Sequence, residues 1–140
     1  MIVLTGECFC GAVKYKIEGD LNAMYYCHCS QCRKLTGSSF ATNGSVDASL
    51  FTVTRGQTHL DKVPWAEHFR HHCKKCHSWV YGESESYPGL IFIPCGTLNE
   101  APNRPVDHHV CVASKAQWVT INDDLPQYEG QQPTQSLAGD

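Results

Sequence analysis

The chain has 140 residues, a formal net charge of −3, and 41% hydrophobic and 18% charged residues. A chain of this length suits one domain, and the composition excludes an intrinsically disordered protein. The acidic balance provides no basic face, which argues against nucleic acid and anionic membranes as partners. The apolar start is too short and lacks the basic residues of a signal peptide, so we expect a soluble, cytoplasmic protein.

The pattern in chain order is a series of short β-rich runs separated by Gly, Pro, Asn and Asp. In residues 12–17, Val13, Tyr15 and Ile17 alternate with two lysines, as in a half-buried strand. Seven further runs are predicted as strands: residues 23–26, 39–42, 50–54, 78–81, 90–93, 109–112 and 118–121. Residues 30–35 could form one helical turn. This spacing predicts an all-β domain over residues 1–128, followed by a polar, flexible tail over residues 129–140.

Nine cysteines are many for this length, and their number is odd. A secreted disulfide framework favours an even count, whereas clustered thiols in a reducing compartment are typical metal ligands. Cysteines separated by one or two residues can turn their sulfurs towards one ion. We therefore interpret the clustered cysteines as ligands, with two Zn²⁺ ions per chain.

The first predicted zinc site is structural. It combines a C-x-C pair with a distant C-x-x-C pair, namely Cys8, Cys10, Cys73 and Cys76. Gly11 directly after Cys10 permits the chain to kink there. Four thiolates complete a closed tetrahedron, so that metal binding contributes to folding free energy.

The second predicted site offers Cys27, Cys29 and Cys32, three thiolates within six residues. Three protein ligands with one open position are typical of a catalytic zinc, and sulfur ligands favour zinc over harder ions. The fourth ligand could be water or substrate, or it could be Cys95 or His28, which would close the site. Zinc with three anionic ligands suits holding a thiolate better than splitting water, which favours thiol chemistry.

Other candidate residues are interpreted more simply. We expect Cys95 and Cys111 to be small buried hydrophobic residues in strands. Adjacent residues in a strand face opposite sides, so neither His71 with His72 nor His108 with His109 should share an ion. His28 is a candidate proton carrier or a surface histidine. We expect five aromatic residues to belong to the hydrophobic core: Tyr25, Tyr26, Trp65, Trp79 and Trp118.

The order of these motifs resembles the glutathione-dependent formaldehyde-activating (GFA) family and the related CENP-V-type zinc domains. The resemblance runs from about residue 6 to residue 128 and rests on GECFCGAVKY at 6–15, CHCSQCRKLTGSSF at 27–40, and CKKC at 73–76. Shorter matches are PW at 64–65, GTL at 96–98, SKAQW at 114–118 and DDLP at 123–126. Family members usually have Gly directly after the second C-x-x-C motif, which is CKKC at 73–76 in this chain. Here that position is His77, and histidine enters a left-handed turn less easily than glycine.

The resemblance implies a β-tent fold of small antiparallel sheets and the same division into structural and catalytic zinc ligands. It also implies a carbon–sulfur lyase activity, the condensation of glutathione with formaldehyde to S-hydroxymethylglutathione. Binding of glutathione needs cations for two carboxylates, and the candidates are Arg33, Lys34, Arg55 and Lys115. An alternative substrate is another small thiol. The alternative functions are a non-enzymatic zinc module for protein binding and a zinc reservoir or redox sensor. CENP-V-type relatives carry basic segments that this sequence does not show.

Overall fold

A computed structural model describes residues 2–131, and the predicted tail lies largely outside these described residues. The secondary structure comprises one α-helix, α1 (Ser30–Thr36), and ten strands in that range. The strands are β1 (Leu4–Glu7), β2 (Lys14–Ile17), β3 (Ala23–Cys27), β4 (Ala41–Asp47), β5 (Phe51–Arg55), β6 (Leu60–Trp65), β7 (His68–Cys73), β8 (Trp79–Ser84), β9 (Leu90–Pro94) and β10 (His108–Val110). No helix among the described residues is long and apolar enough to cross a membrane.

The strands form two sheets, which confirms the all-β prediction. One sheet has the order β1-β2-β5, and the other has the order β10-β3-β4-β9-β8-β7-β6. The pairs are antiparallel except for β10, which runs parallel to β3. The larger sheet therefore carries the end of β3, where the second group of cysteines begins, beside the end of β10.

Two apolar clusters form the core, and each of them includes cysteines from one predicted zinc site. The first contains Cys8 and Cys73 together with Val13, Tyr15 and Ile17, the buried face of β2. The alternation predicted for this strand is confirmed, because these three side chains are at most 1% exposed. The second cluster contains Cys27, Cys32 and Cys111. Core packing thus fixes the backbone around both groups of thiols.

Most predicted strands are present, with shifted ends. The strand predicted at 39–42 begins at Ala41 and continues to Asp47, and the helical turn predicted at 30–35 is α1. The strand predicted at 118–121 is wrong, because this segment has no strand partner and Trp118 is 72% exposed. Trp65 is also exposed, so the expectation that both tryptophans belong to the core is wrong. Strands β1, β6 and β7 were not predicted.

Candidate zinc centres and thiol pocket

The first group of cysteines converges as the spacing predicts. The Sγ atoms of Cys8, Cys10, Cys73 and Cys76 all lie within 4.8 Å of one another. Cys8 Sγ lies 3.7 Å from Cys10 Sγ, and Cys10 Sγ lies 3.8 Å from Cys73 Sγ. Sulfurs bound at about 2.3 Å in a tetrahedron are separated by about 3.8 Å, so these four thiols fit one zinc ion.

Local backbone geometry turns these thiols inward. Gly11 has a φ of 79°, so the kink expected after Cys10 is present in the left-handed region. The backbone N–H of Val13 donates to Cys8 Sγ at 3.3 Å, and that of Lys75 donates to Cys73 Sγ at 3.4 Å. His77 has a φ of 64°, the conformation that glycine adopts most easily. The chain thus forms the expected left-handed turn with a side chain that does not favour it.

The second group also converges, at the junction of β3 and α1. The Sγ atoms of Cys27, Cys29 and Cys32 lie within 4.8 Å of one another. Cys29 caps α1, where its sulfur accepts the backbone N–H of Cys32 at 3.2 Å. Hydrogen bonds from the thiols of Cys27 and Cys32 lower the pKa of Cys29, which favours its thiolate form. Three convergent sulfurs with one polarised as a thiolate are a suitable donor set for zinc.

Cys111 packs in the same apolar cluster as Cys27 and Cys32, and the sequence interpretation missed its position. It lies just after β10 rather than in a strand, with a left-handed φ of 56°. Burial raises the pKa of Cys111, and its Sγ atom accepts a hydrogen bond from the Gln131 side chain at 3.6 Å and lies outside the three-sulfur group. Cys95, proposed as an alternative fourth ligand, packs in the other core cluster. Burial raises the pKa of Cys95 to about 12, as expected for a buried thiol.

The histidines have separate environments. His28 is fully buried, so the surface alternative is wrong, and its Nε2 lies 2.8 Å from His109 Nδ1. His109 in turn contacts Asp123, whereas His108 stacks on Tyr25. His71 contacts Glu83, and His72 contacts the backbone carbonyl of His77. His28 does not line the pocket described next, and its role as a proton carrier stays a prediction.

A pocket of about 240 Å³ opens beside the three-sulfur group. The three cysteines form one wall, and the β7–β8 hairpin forms the opposite wall with Phe69, Arg70 and Trp79. Arg33, Lys34, Arg55 and Lys115, the cations expected to bind glutathione carboxylates, do not line it. Lys115 instead donates to the backbone carbonyls of Ala116 and Val119. The cation that does line the pocket is Arg70, which sequence spacing alone did not indicate.

Comparison with known proteins identifies the family of the chain. Residues 3–118 match the sequence profile of a family described as "Glutathione-dependent formaldehyde-activating enzyme". A relative from Emericella nidulans, named "Putative glutathione-dependent formaldehyde-activating enzyme", is 31% identical over 96 residues, which cover 63% of this chain and 49% of the relative. The chain thus spans about half the length of that relative.

The fold is also found in a solved structure. The crystal structure of a Rhodobacter sphaeroides protein superposes with a TM-score of 0.59 at 24% sequence identity. The superposition covers 71% of this chain and 92% of the other. At this identity the likeness concerns the fold alone.

Proposed function

Because the chain belongs to the glutathione-dependent formaldehyde-activating enzyme family, we propose that it is a zinc-dependent enzyme of the carbon–sulfur lyase type. It would join glutathione, or another small thiol, to an aldehyde such as formaldehyde. The observation that carries this proposal is the difference between the two thiol clusters. The first cluster brings four sulfurs together, whereas the three sulfurs of the second cluster line a pocket.

The two clusters would hold two zinc ions with different roles. Cys8, Cys10, Cys73 and Cys76 would complete a closed structural site that connects β1 to the loop after β7. Cys27, Cys29 and Cys32 would hold the second zinc and leave its fourth position facing the pocket. A zinc ion held by these residues would supply the positive charge that favours the deprotonated form of a thiol substrate.

The protein contributes orientation and exclusion of water. Phe69 and Trp79 line the pocket with apolar surface, and Arg70 adds a positive charge to the same wall. In the reaction the thiol sulfur forms a bond to the aldehyde carbon and the carbonyl π bond breaks. The thiol proton ends on the former carbonyl oxygen. The atoms of thiol and aldehyde together equal those of the hydroxymethyl thioether, and no oxidant is consumed.

Zinc content is the first test. Native mass spectrometry is expected to find two zinc ions in the wild type and in Cys95→Ala, a buried cysteine outside both clusters. Cys10→Ser and Cys29→Ser should each retain one zinc. If all four proteins retain two zinc ions, the assignment of these clusters as the zinc ligands is wrong.

The activity test must separate catalysis from the spontaneous addition of thiols to formaldehyde. Exchange NMR at equilibrium measures the rate at which glutathione and its formaldehyde adduct interconvert. We expect the wild type to raise this rate in proportion to its concentration, and Cys29→Ser not to raise it. The protein could instead bind two zinc ions and leave the interconversion rate unchanged, both for glutathione and for smaller thiols. That result would indicate a non-enzymatic zinc-binding interaction module.

A further inference from the structure

The charged residues around the pocket indicate which kind of thiol it accepts. Arg70 is its only Lys or Arg among the described residues, and within residues 2–131 no carboxylate lies within 4.0 Å of the Arg70 guanidinium. The guanidinium carbon of Arg70 lies over the ring of Trp79, 5.9 Å from its centroid. A guanidinium without a carboxylate partner in a pocket wall is suited to bind a carboxylate of a ligand.

Two acidic residues share the same pocket. Glu83 lies 2.7 Å from the Nε2 atom of His71, whereas Glu67 lies 3.4 Å from the Nε2 atom of His68. The Glu67 side chain is 46% exposed, so the oxygen that does not face His68 is free to accept from a ligand. The pocket therefore offers one site for a carboxylate, at Arg70 in β7, and one for an ammonium group, at Glu67 in the turn between β6 and β7.

Glutathione fits these charges poorly, because it carries two carboxylates and one ammonium group. Its first carboxylate could pair with Arg70, but the second would meet Glu67 and Glu83 and no further Lys or Arg of the described lining, while His68 already contacts Glu67. Like charges brought together in one pocket repel each other. The volume of about 240 Å³ is also below the range of about 300–1,000 Å³ that is usual for drug-sized ligands.

We propose that the substrate of this pocket is a small zwitterionic aminothiol with a single carboxylate, of the free cysteine type, rather than glutathione. Its sulfur faces Cys27, Cys29 and Cys32, its carboxylate binds Arg70, and its ammonium group binds Glu67. This inference rests on the proposed thiol function of the site and assigns the substrate class of that site.

Isothermal titration of the zinc-loaded protein with four thiols tests each contact separately. The ligands are L-cysteine, glutathione, cysteamine, which has no carboxylate, and 3-mercaptopropionate, which has no ammonium group. We expect cysteine to bind at least tenfold more tightly than glutathione. Native mass spectrometry of the same samples verifies that both zinc ions stay bound, since free cysteine also chelates zinc.

Variants then assign the contacts. Arg70→Met should weaken cysteine and 3-mercaptopropionate about tenfold, the usual effect of losing a charged hydrogen bond, and leave cysteamine unchanged. Arg70→Lys keeps the positive charge and controls for misfolding of the Met variant. It should weaken the binding of cysteine and 3-mercaptopropionate less than Arg70→Met does. Glu67→Gln should weaken cysteine and cysteamine but not 3-mercaptopropionate. Arg55→Met is the matched control, because Arg55 lies outside this pocket.

The outcomes separate this inference from the proposed function. Tighter binding of glutathione than of cysteine, or an unchanged cysteine affinity in Arg70→Met, overturns the substrate class while thiol binding stands. If none of the four thiols binds the zinc-loaded protein, the thiol function itself is wrong, and the substrate class with it.

Discussion

The Nε2 atom of His28 lies 2.8 Å from the Nδ1 atom of His109, and the Nε2 atom of His109 lies 2.9 Å from a carboxylate oxygen of Asp123. Asp123 can only accept, so the His109 Nε2 atom carries the hydrogen and its Nδ1 atom accepts from His28. His28 Nδ1 is buried without a partner, and burial lowers the pKa of His28. A neutral, oriented His28 is therefore held between Cys27 and Cys29.

Removal of the Asp123 carboxylate should loosen this chain of hydrogen bonds. In Asp123→Ala, His109 loses the acceptor that fixes its tautomer, and we expect a lower midpoint of urea unfolding. Asp124→Ala is the matched control, since Asp124 is exposed and its replacement should stay within about 0.5 kcal/mol of the wild type. Equal midpoints for the two variants would show that the hydrogen-bonded chain does not stabilise the fold.

Local patterns predicted the strands whose two faces differ. The residues of β2 alternate because one face packs in the core and the other carries lysines. Strand β7, with the sequence HFRHHC, shows no such alternation and is stabilised by its pairing with β6 and β8 on both edges. Such pairing connects distant segments, which a local pattern does not record.

In the candidate site, too, local features were predictable and features set by distant segments were not. Chelate spacing predicted the members of each motif, because the geometry within a C-x-C or C-x-x-C pair is set locally, and the motifs left over from the triple of Cys27, Cys29 and Cys32 then had to pair with each other. The position of Cys111 depends on the pairing of β10 with β3, and that of Arg70 on the order of strands that places β7 across the pocket, so no local motif revealed them. The predicted strand at 118–121 failed for the opposite reason, since its apolar residues have no partner strand.

Replacement of His77 by glycine should stabilise the zinc-loaded protein. A side chain in the left-handed region costs about 1–3 kcal/mol, whereas the greater freedom of glycine in the unfolded chain costs about 0.4–1 kcal/mol. We expect His77→Gly to raise the free energy of unfolding by about 1 kcal/mol in urea titrations with both zinc ions bound. The His72 contact to the residue 77 carbonyl survives, because it involves the backbone.

The matched control for His77 lies in the same loop. Lys75 is not in the left-handed region, so Lys75→Gly should lose about 0.4–1 kcal/mol through unfolded-state entropy alone. Destabilisation by both glycines to the same extent would mean that His77 is not strained.

His108 should make the protein less stable in mild acid. Burial lowers the pKa of His108 below its ordinary value of 6.5, and its Nε2 atom has no hydrogen-bond partner. Below pH 6.5 the unfolded chain binds a proton that the native state does not, so the free energy of unfolding falls as the pH decreases. The charged or titratable groups acting on His108 are Asp107, which opposes this shift, and His109 and Arg104, which reinforce it.

His108→Phe isolates this contribution. Phenylalanine has no titrating group and can keep the stacking on Tyr25, at a ring distance of 5.8 Å. With zinc in excess, acid release of the metal affects both proteins alike, so the difference between them reports His108. We expect the variant to lose less stability than the wild type between pH 6.5 and 5. Parallel curves over this range would exclude His108 as the source.

Close packing across the β1–β2 pair gives the sharpest steric prediction. Gly6 lies opposite Tyr15, and a Cβ atom at Gly6 would come within 2.2 Å of the Tyr15 Cζ atom. Tyr15 cannot move away easily, because it is 1% exposed and its hydroxyl lies 2.7 Å from Thr97 Oγ1. Gly6→Ala should therefore lower the free energy of unfolding by about 1–3 kcal/mol. Gly96→Ala, where the added Cβ meets no atom within 4 Å, should stay within about 0.5 kcal/mol. A similar loss in both variants would attribute the effect to glycine removal in general, whereas a loss confined to Gly6→Ala shows that the Tyr15 ring requires this glycine.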